Sequence, residues 1–156
     1  MSREDYFNDS NAPKVNSIKP ATTAIVVNDV GKILLERRSD NSLRGIPGGV
    51  MEYGESISEA TIREIKEETG LDIAIDYLVG IYTNPGHIIA FSDGEVRQEF
   101  SILFACRIVG GEIQISKESL QLAFFSEDEI KQLDMTPSTR QRLDDYLAKH
   151  YAPSIH

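Results

Sequence analysis

The stretch Gly49-Val50-Met51-Glu52-Tyr53-Gly54-Glu55-Ser56-Ile57-Ser58-Glu59-Ala60-Thr61-Ile62-Arg63-Glu64-Ile65-Lys66-Glu67-Glu68-Thr69-Gly70-Leu71 decides how the rest of the chain is read. Ser56 and Glu59 make an S-x-x-E capping box, which opens a helix, and Gly70 supplies the left-handed residue that closes one. Ile57, Ala60, Thr61, Ile65 and Thr69 are the candidates for its buried side. Glu64, Glu67 and Glu68 stand at i, i+3 and i+4, so three carboxylates crowd one patch. Like charges at that spacing destabilise a helix by about 0.2–0.5 kcal/mol per pair. The patch also meets the negative end of the helix dipole. One reading is a solvated acidic face helped by Arg63 and Lys66. The other is a cation site, because carboxylate and carbonyl oxygens are the hard ligands that Mg²⁺ prefers, with positions left for water and phosphate oxygens. The glycine-rich run Gly45–Gly49 leads straight to the helix and can offer backbone carbonyls beside it, which favours the cation site.

Outward from this helix, Ala21–Val27 is rich in β-formers, and Asn28-Asp29-Val30-Gly31 is a turn into Lys32–Arg37, so the two runs predict a hairpin. Leu43–Val50 reads as a loop. Leu71–Tyr82 and the apolar run Phe100–Val109 predict strands, with turns at Pro85-Gly86, Ser92-Asp93-Gly94 and Gly110-Gly111. Ser126 and Glu129 form a second capping box, opening a short helix through Leu133. Thr136-Pro137 starts a last amphipathic helix with Leu143, Tyr146 and Leu147 on one side. The expected fold class is α/β or α+β, in one domain over 20–150, preceded by an irregular extension at 1–19 and followed by a tail at 151–156.

The bulk properties narrow the function. A chain of 156 residues, 40% hydrophobic and 26% charged, has the make-up of one ordinary globular domain. A net charge of −9 argues against a partner that is a nucleic-acid polymer, since phosphate neutralisation needs a surplus of Lys and Arg. An anionic small molecule remains compatible if a divalent cation stands between it and the acidic surface. The single Cys106, in the apolar run Phe104-Ala105-Cys106, excludes a disulfide framework and reads as core. His87, His150 and His156 are too scattered for a metal or triad. No run approaches the roughly 18–20 apolar residues of a membrane span, and Met1–Asp9 lacks a secretory build, so a cytoplasmic location is expected.

Gly49, five residues, Glu55, seven residues and then Arg63-Glu64-Ile65-Lys66-Glu67-Glu68-Thr69-Gly70-Leu71 resembles the Nudix box without a departure. A chance match somewhere in such a chain is on the order of one in ten million, so the resemblance is specific, and the flanking elements extend it over roughly 21–149. It implies an α/β/α sandwich with a mixed sheet and an Mg²⁺-dependent enzyme (Mn²⁺ as substitute) that cuts a diphosphate linkage in a nucleotide-type substrate. By the same resemblance Glu64, Glu67 and Glu68 are metal carboxylates, and a carbonyl of Gly48 or Gly49 is the backbone ligand. Arg63 would orient a glutamate, and Glu55 would support the metal shell. The general base is either Glu67 or Glu99, the latter in Arg97-Gln98-Glu99-Phe100 at the start of a strand.

Substrate readers are less sharply marked. The chain has no Trp; Arg44 occupies a place that is often Trp in the family, and Phe124 another. Arg38 and Arg44 are candidates to meet phosphates, and Phe124, Tyr82 or Phe91 to stack on a base. Pro85 lies near where ADP-ribose-cleaving relatives carry a proline. An ADP-ribose-like substrate is therefore expected ahead of an oxidised nucleoside triphosphate. The competing classes are a nucleotide-sensing Nudix domain that binds without cutting and an interaction domain with an acidic helix. The only macromolecular partner expected is a second copy of the chain, in a homodimer.

Overall fold

In the computed structural model, which describes residues 2–117, 119–149 and 152–156, the capping-box helix forms as its residues dictate. This helix, α1 (Ile57–Thr69), has Ser56 accepting from the Glu59 amide and Glu59 accepting from the Ser56 amide. Ala60, Thr61, Ile65 and Thr69 are buried and Ile57 half-buried, so the apolar stripe expected from spacing is the one that packs. Gly70 ends the helix at φ 79°, and its N–H bonds the Lys66 carbonyl at 2.9 Å.

The strands are β1 (Arg3–Phe7), β2 (Ser17–Ile18), β3 (Ala21–Val27), β4 (Ile33–Arg38), β5 (Arg44–Gly45), β6 (Gly48–Val50), β7 (Leu71–Tyr82), β8 (His87–Phe91), β9 (Val96–Gln98), β10 (Ser101–Gly111), β11 (Ser119–Phe125) and β12 (Ser154–Ile155). Two further helices are α2 (Glu127–Ile130) and α3 (Pro137–Leu147). The main sheet runs β11-β4-β3-β10-β7-β12, with β5 on β4 and β6 on β3. It is mixed: β3 and β10 are parallel, as are β7 and β12, and the other pairs are antiparallel.

Side-chain alternation along the central strands divides the interior into two layers. Ala24, Val26, Leu34, Phe104 and Cys106 face α1, where they meet Ile57 and Ile65. Ile25, Leu35, Leu103 and Ala105 face the other way, onto Ile130 of α2 and Leu143 of α3. The result is the α/β/α sandwich expected. Cys106 is fully buried and burial pushes its thiol up to about 12, as an inert core cysteine requires. No helix among the described residues is long and apolar enough to cross a membrane.

Four local expectations are corrected. The segment 1–19, expected to be irregular, contributes β1 and β2 to a second sheet ordered β1-β8-β9-β2. Its run Arg3-Glu4-Asp5-Tyr6-Phe7 opens on three charged residues and lacks the continuous apolar face that marks a core strand. In the tail, Ser154 and Ile155 add β12 to the edge of β7. The 43–50 loop carries two short strands because Thr22 and Thr23 of β3 pair with Gly49 and Gly48. The helix expected to reach Leu133 stops at Ile130. His150 lies outside the described residues.

Gly54 and Gly70 both have positive φ, 83° and 79°, but a Cβ on Gly54 meets nothing within 4 Å while one on Gly70 would collide with the Glu112 carbonyl. Gly54→Ala should therefore show only the left-handed cost of about 1–2 kcal/mol. Gly70→Ala should show that cost and the displacement of Glu112 in addition, measured as a larger drop in denaturation midpoint.

Candidate active site

A cavity of about 1010 Å³ opens across the end of the main sheet. Its box end holds Gly48, Gly49 and the carboxylates of Glu64, Glu67 and Glu68, while Ser101 and Arg142 line it from the α3 side of the sheet, with His87 beside Glu99. This volume is at the upper end of ordinary ligand pockets, about 300–1,000 Å³. It is room enough for a substrate with two arms.

The box end is built by contact between β6 and α1. A Cβ on Gly48 would run into the Thr22 carbonyl, so only glycine lets β6 approach β3 there, and one on Gly49 would push the Glu64 carboxylate out of its place. The Gly48 N–H donates to Glu68 Oε2 at 3.0 Å. Arg63 Nη1 donates to Glu64 Oε1 at 2.9 Å and to Glu67 Oε2 at 3.1 Å. Its Nη2 donates to the Val50 carbonyl at 3.0 Å and to Glu55 Oε2 at 3.1 Å, and its Nε donates to Glu55 Oε1. Glu55 also accepts from the Glu52 amide at 2.9 Å. The hydrogen bond from Arg63 holds the Glu55 carboxyl below its usual range. The bond to Glu55, more than the one to Glu64, raises the Arg63 guanidinium above its own.

Among the described residues, no three acidic, imidazole or thiol side chains converge on one point. Arg63 bridges Glu64 and Glu67, and Glu68 is turned onto the Gly48 amide, which accounts for the spread. In kind, the donors fit a hard divalent cation: three carboxylates on one cavity wall, with a side-chain-free backbone opposite Glu64.

Of the other residues singled out from sequence, Arg38 and Arg44 line the cavity. Arg38 is held by Asp40 through Nε at 3.0 Å and Nη2 at 2.6 Å. Arg44 donates Nη2 to Gln121 Oε1 at 2.8 Å and lies over the Phe125 ring, while its buried Nη1 has no protein partner. Phe124 is a correction: it packs in the core on the α1 side and does not line the cavity, because its place opposite Leu34 in β11–β4 turns it inward. Glu99 lines the cavity but is neither solvated nor alone. It is 9% exposed, with Oε2 3.5 Å from His87 Nδ1 and 3.9 Å from Arg142 Nη2.

The sequence reading missed the far wall. Register in the small sheet pairs Arg3 with Phe91, Asp5 with Ile89 and Phe7 with His87, and β9 brings Arg97 opposite Ile89. Asp5 accepts from Arg3 Nε at 2.8 Å and Nη2 at 2.7 Å, and its Oδ2 lies 2.9 Å from His87 Nε2. Burial pushes the Asp5 carboxyl up, but the His87 and Arg3 hydrogen bonds outweigh it and hold the group well below the carboxylate range. Arg142, from α3, lies over the Tyr82 ring, and burial lowers its pKa against the opposing charge of Glu99. The period-two alternations Arg3-x-Asp5-x-Phe7 and His87-x-Ile89-x-Phe91 were the signal that could have found this wall.

The family model described as NUDIX domain matches residues 18–146. An ADP-ribose pyrophosphatase of Methanocaldococcus jannaschii is 36% identical over 121 residues, covering 72% of this chain and 64% of that protein. This chain thus matches just under two thirds of that relative's length. A putative 8-oxo-dGTP diphosphatase of Bacillus subtilis is 33% identical, covering 78% of this chain and 75% of that protein. Among solved structures, a NUDIX hydrolase from Nitrosomonas europaea superposes with a TM-score of 0.66 at 27% identity, covering 88% and 93% of the two chains. An ADP-ribose pyrophosphatase from Streptococcus suis gives 0.62 at 26% identity, covering 88% and 96%.

Glu95 supplies a pH test of the far wall. Hydrogen bonds from Arg97, aided by Ser17 and Lys19, hold its pKa at about 2, against an ordinary 4.5. The stability it contributes is full above about pH 4.5 and is lost as pH falls toward about 2. Thermal melts taken from pH 6 down to pH 2 should show a smaller acid decline in Glu95→Gln than in the wild type.

Proposed function

The chain belongs to the family of Nudix pyrophosphohydrolases, and we propose that it hydrolyses the diphosphate linkage of a nucleoside-diphosphate-linked small molecule in the cytoplasm, with Mg²⁺ (Mn²⁺ as substitute) as its cation. The observation that carries this reading is the box-glutamate wall: Glu64, Glu67 and Glu68 line one end of the large cavity, against the side-chain-free backbone of Gly48 and Gly49. An ADP-ribose-like substrate is favoured. The ADP-ribose pyrophosphatase similarity supports it, and so does a cavity with space beyond the box end for a second arm. The alternative, an oxidised nucleoside triphosphate, draws on the similarity to the putative 8-oxo-dGTP diphosphatase. A binding-only domain has less support, because every box residue is intact.

In this proposal Glu64, Glu67 and Glu68, with a carbonyl of Gly48 or Gly49, hold the cation. A divalent ion at such a site supplies charge neutralisation for the diphosphate and acidifies water. Arg63 keeps Glu64 and Glu67 oriented through its Nη1, and Glu55 fixes the guanidinium plane. Arg44 offers its unpartnered Nη1 to a phosphate oxygen, and Arg38 stands beside it on the cavity wall. The proton of the attacking water goes to a carboxylate. Glu67 is the more accessible, its side chain 59% exposed, while Glu99 is buried next to His87 and Arg142.

Glu64→Gln and Glu68→Gln keep shape and remove ligand charge. Each should lower turnover on ADP-ribose with Mg²⁺ by about 10²-fold or more while the melt stays cooperative; near wild-type turnover in Glu68→Gln at saturating Mg²⁺ removes that ligand from the proposal. The base is tested by initial rates of Glu67→Gln and Glu99→Gln across pH 5–9. The substitution at the true base should lower turnover by about 10²–10⁴-fold and abolish the acidic limb of the profile. Retention of that limb clears the residue of the role.

A further inference from the structure

Among the described residues, four have a buried side-chain polar atom without a protein partner: Thr23 Oγ1, Arg44 Nη1, Ser101 Oγ and Arg142 Nε. All four residues line the same cavity. A buried donor left unpaired is costly, and native proteins seldom tolerate several together without a ligand or ordered water to satisfy them. Ser101 and Arg142 stand together on the α3 side of the main sheet, the face away from α1 and its glutamates. Ser101 is 1% exposed and is the cross-strand neighbour of Tyr82, and the Tyr82 ring carries the guanidinium of Arg142, itself 6% exposed. Glu99 stands two residues before Ser101 and faces Arg142 at 3.9 Å, too long for a hydrogen bond.

We infer that Ser101, Arg142 and Glu99 form a specificity subsite for a neutral, hydroxylated sugar joined to the distal phosphate of the substrate. This rests on the diphosphate-hydrolase reading of the box end, with Glu67 and not Glu99 as its base. The chemistry separates a sugar from a further phosphate. Arg142 only donates, the Glu99 oxygens 3.9 Å from it offer acceptors, and Ser101 does both, so a group that both donates and accepts complements the whole set. Sugar hydroxyls do this. A terminal phosphate would satisfy Arg142 but would sit against the Glu99 carboxylate, with Asp5 close by on the other side of His87. Asp5 is already taken up by Arg3 and His87, and Arg38 by Asp40, so those pairs form a closed polar wall. The aromatic Phe91 on that wall is covered by Arg97 at 4.5 Å, which leaves hydroxyl recognition as the better match to this end than base stacking.

The test compares ADP-ribose and ADP-glucose with the methyl ester of ADP, which keeps the diphosphate ester and lacks the second sugar. Wild type, Ser101→Ala and Arg142→Met are assayed with Mg²⁺, the methionine retaining an apolar stem on Tyr82. Wild type should prefer at least one sugar nucleotide over the methyl ester by about 10-fold or more in kcat/KM. Ser101→Ala should lose about 5–10-fold, and Arg142→Met about 10–100-fold, on that sugar nucleotide, the range of one neutral and one charged hydrogen bond. Both losses should fall mainly in KM, and both variants should stay within about twofold of wild type on the methyl ester. Equal losses on all three compounds mean a structural or general catalytic role and overturn the subsite, as does a wild type indifferent to the second sugar. If Arg142→Met does not fold, Ser101→Ala alone decides by the same comparison. Failure to hydrolyse any of the three overturns the ADP-ribose-like reading of the activity, and the subsite is then judged by ligand-dependent melting. Greater stabilisation of wild type by a sugar nucleotide than by the methyl ester, lost in Ser101→Ala, supports it; equal stabilisation refutes it.

Discussion

The approach of the Gly48-Gly49 backbone to helix α1 is the constraint on which the rest of the site depends. A side chain at Gly48 would strike the β3 backbone and one at Gly49 would displace the Glu64 carboxylate, so the pairing of β6 with β3 and the placing of that carboxylate depend on the same two glycines. Strand β3 passes through the middle of the main sheet, and α1 is anchored to it through Thr22 and Thr61 hydroxyls as well as through the apolar stripe. Three like charges on this helix are tolerable because Arg63 bridges two of them and a backbone N–H takes the third. The arrangement is electrostatically unfavourable for an isolated helix and becomes coherent only against β6.

The two faces of the main sheet divide the work. The α1 side delivers acidic side chains to the cavity, and the α3 side delivers Arg142 above a serine and an aromatic ring. Between them the strand ends provide Thr23 and Ser101, each with an unsatisfied hydroxyl. The interior layers are apolar and filled on both sides, so polar atoms without partners collect where the layers end and the cavity begins. That is the physical signature of a surface prepared for a ligand.

The small sheet adds a third element. It closes the cavity with strands separated by roughly eighty residues in the chain, β1 against β8, and the wall it presents is made of ion pairs two residues apart on the same strand face. Arg3 with Asp5 and Arg97 with Glu95 are bidentate, so each strand carries its own neutralised pair to the cavity and no lone charge is buried in doing so.

The box helix, its caps, the β3–β4 hairpin, the last helix and the sandwich class were legible in the sequence, because capping residues, apolar periodicity and glycine stops are local and each has one physical meaning. The three glutamates were legible for the same reason: helical spacing alone brings them together. Glu99 could be named but not oriented. Its neighbours His87 and Arg142 arrive from β8 and α3, and only the packed structure shows that they bury it. Phe124 carried an aromatic face whose direction depended on register with Leu34, and that register turned it into the core. The N-terminal strand escaped because it opens on three charged residues and lacks a continuous apolar face, and such a run acquires meaning only when another strand supplies the partners. By itself the sequence determined which helix would carry the three clustered glutamates and which backbone would lie beside them. The tertiary structure alone decided which residues meet on the far wall of the cavity, since Ser101, Arg142 and Glu99 come from elements that no local spacing relates.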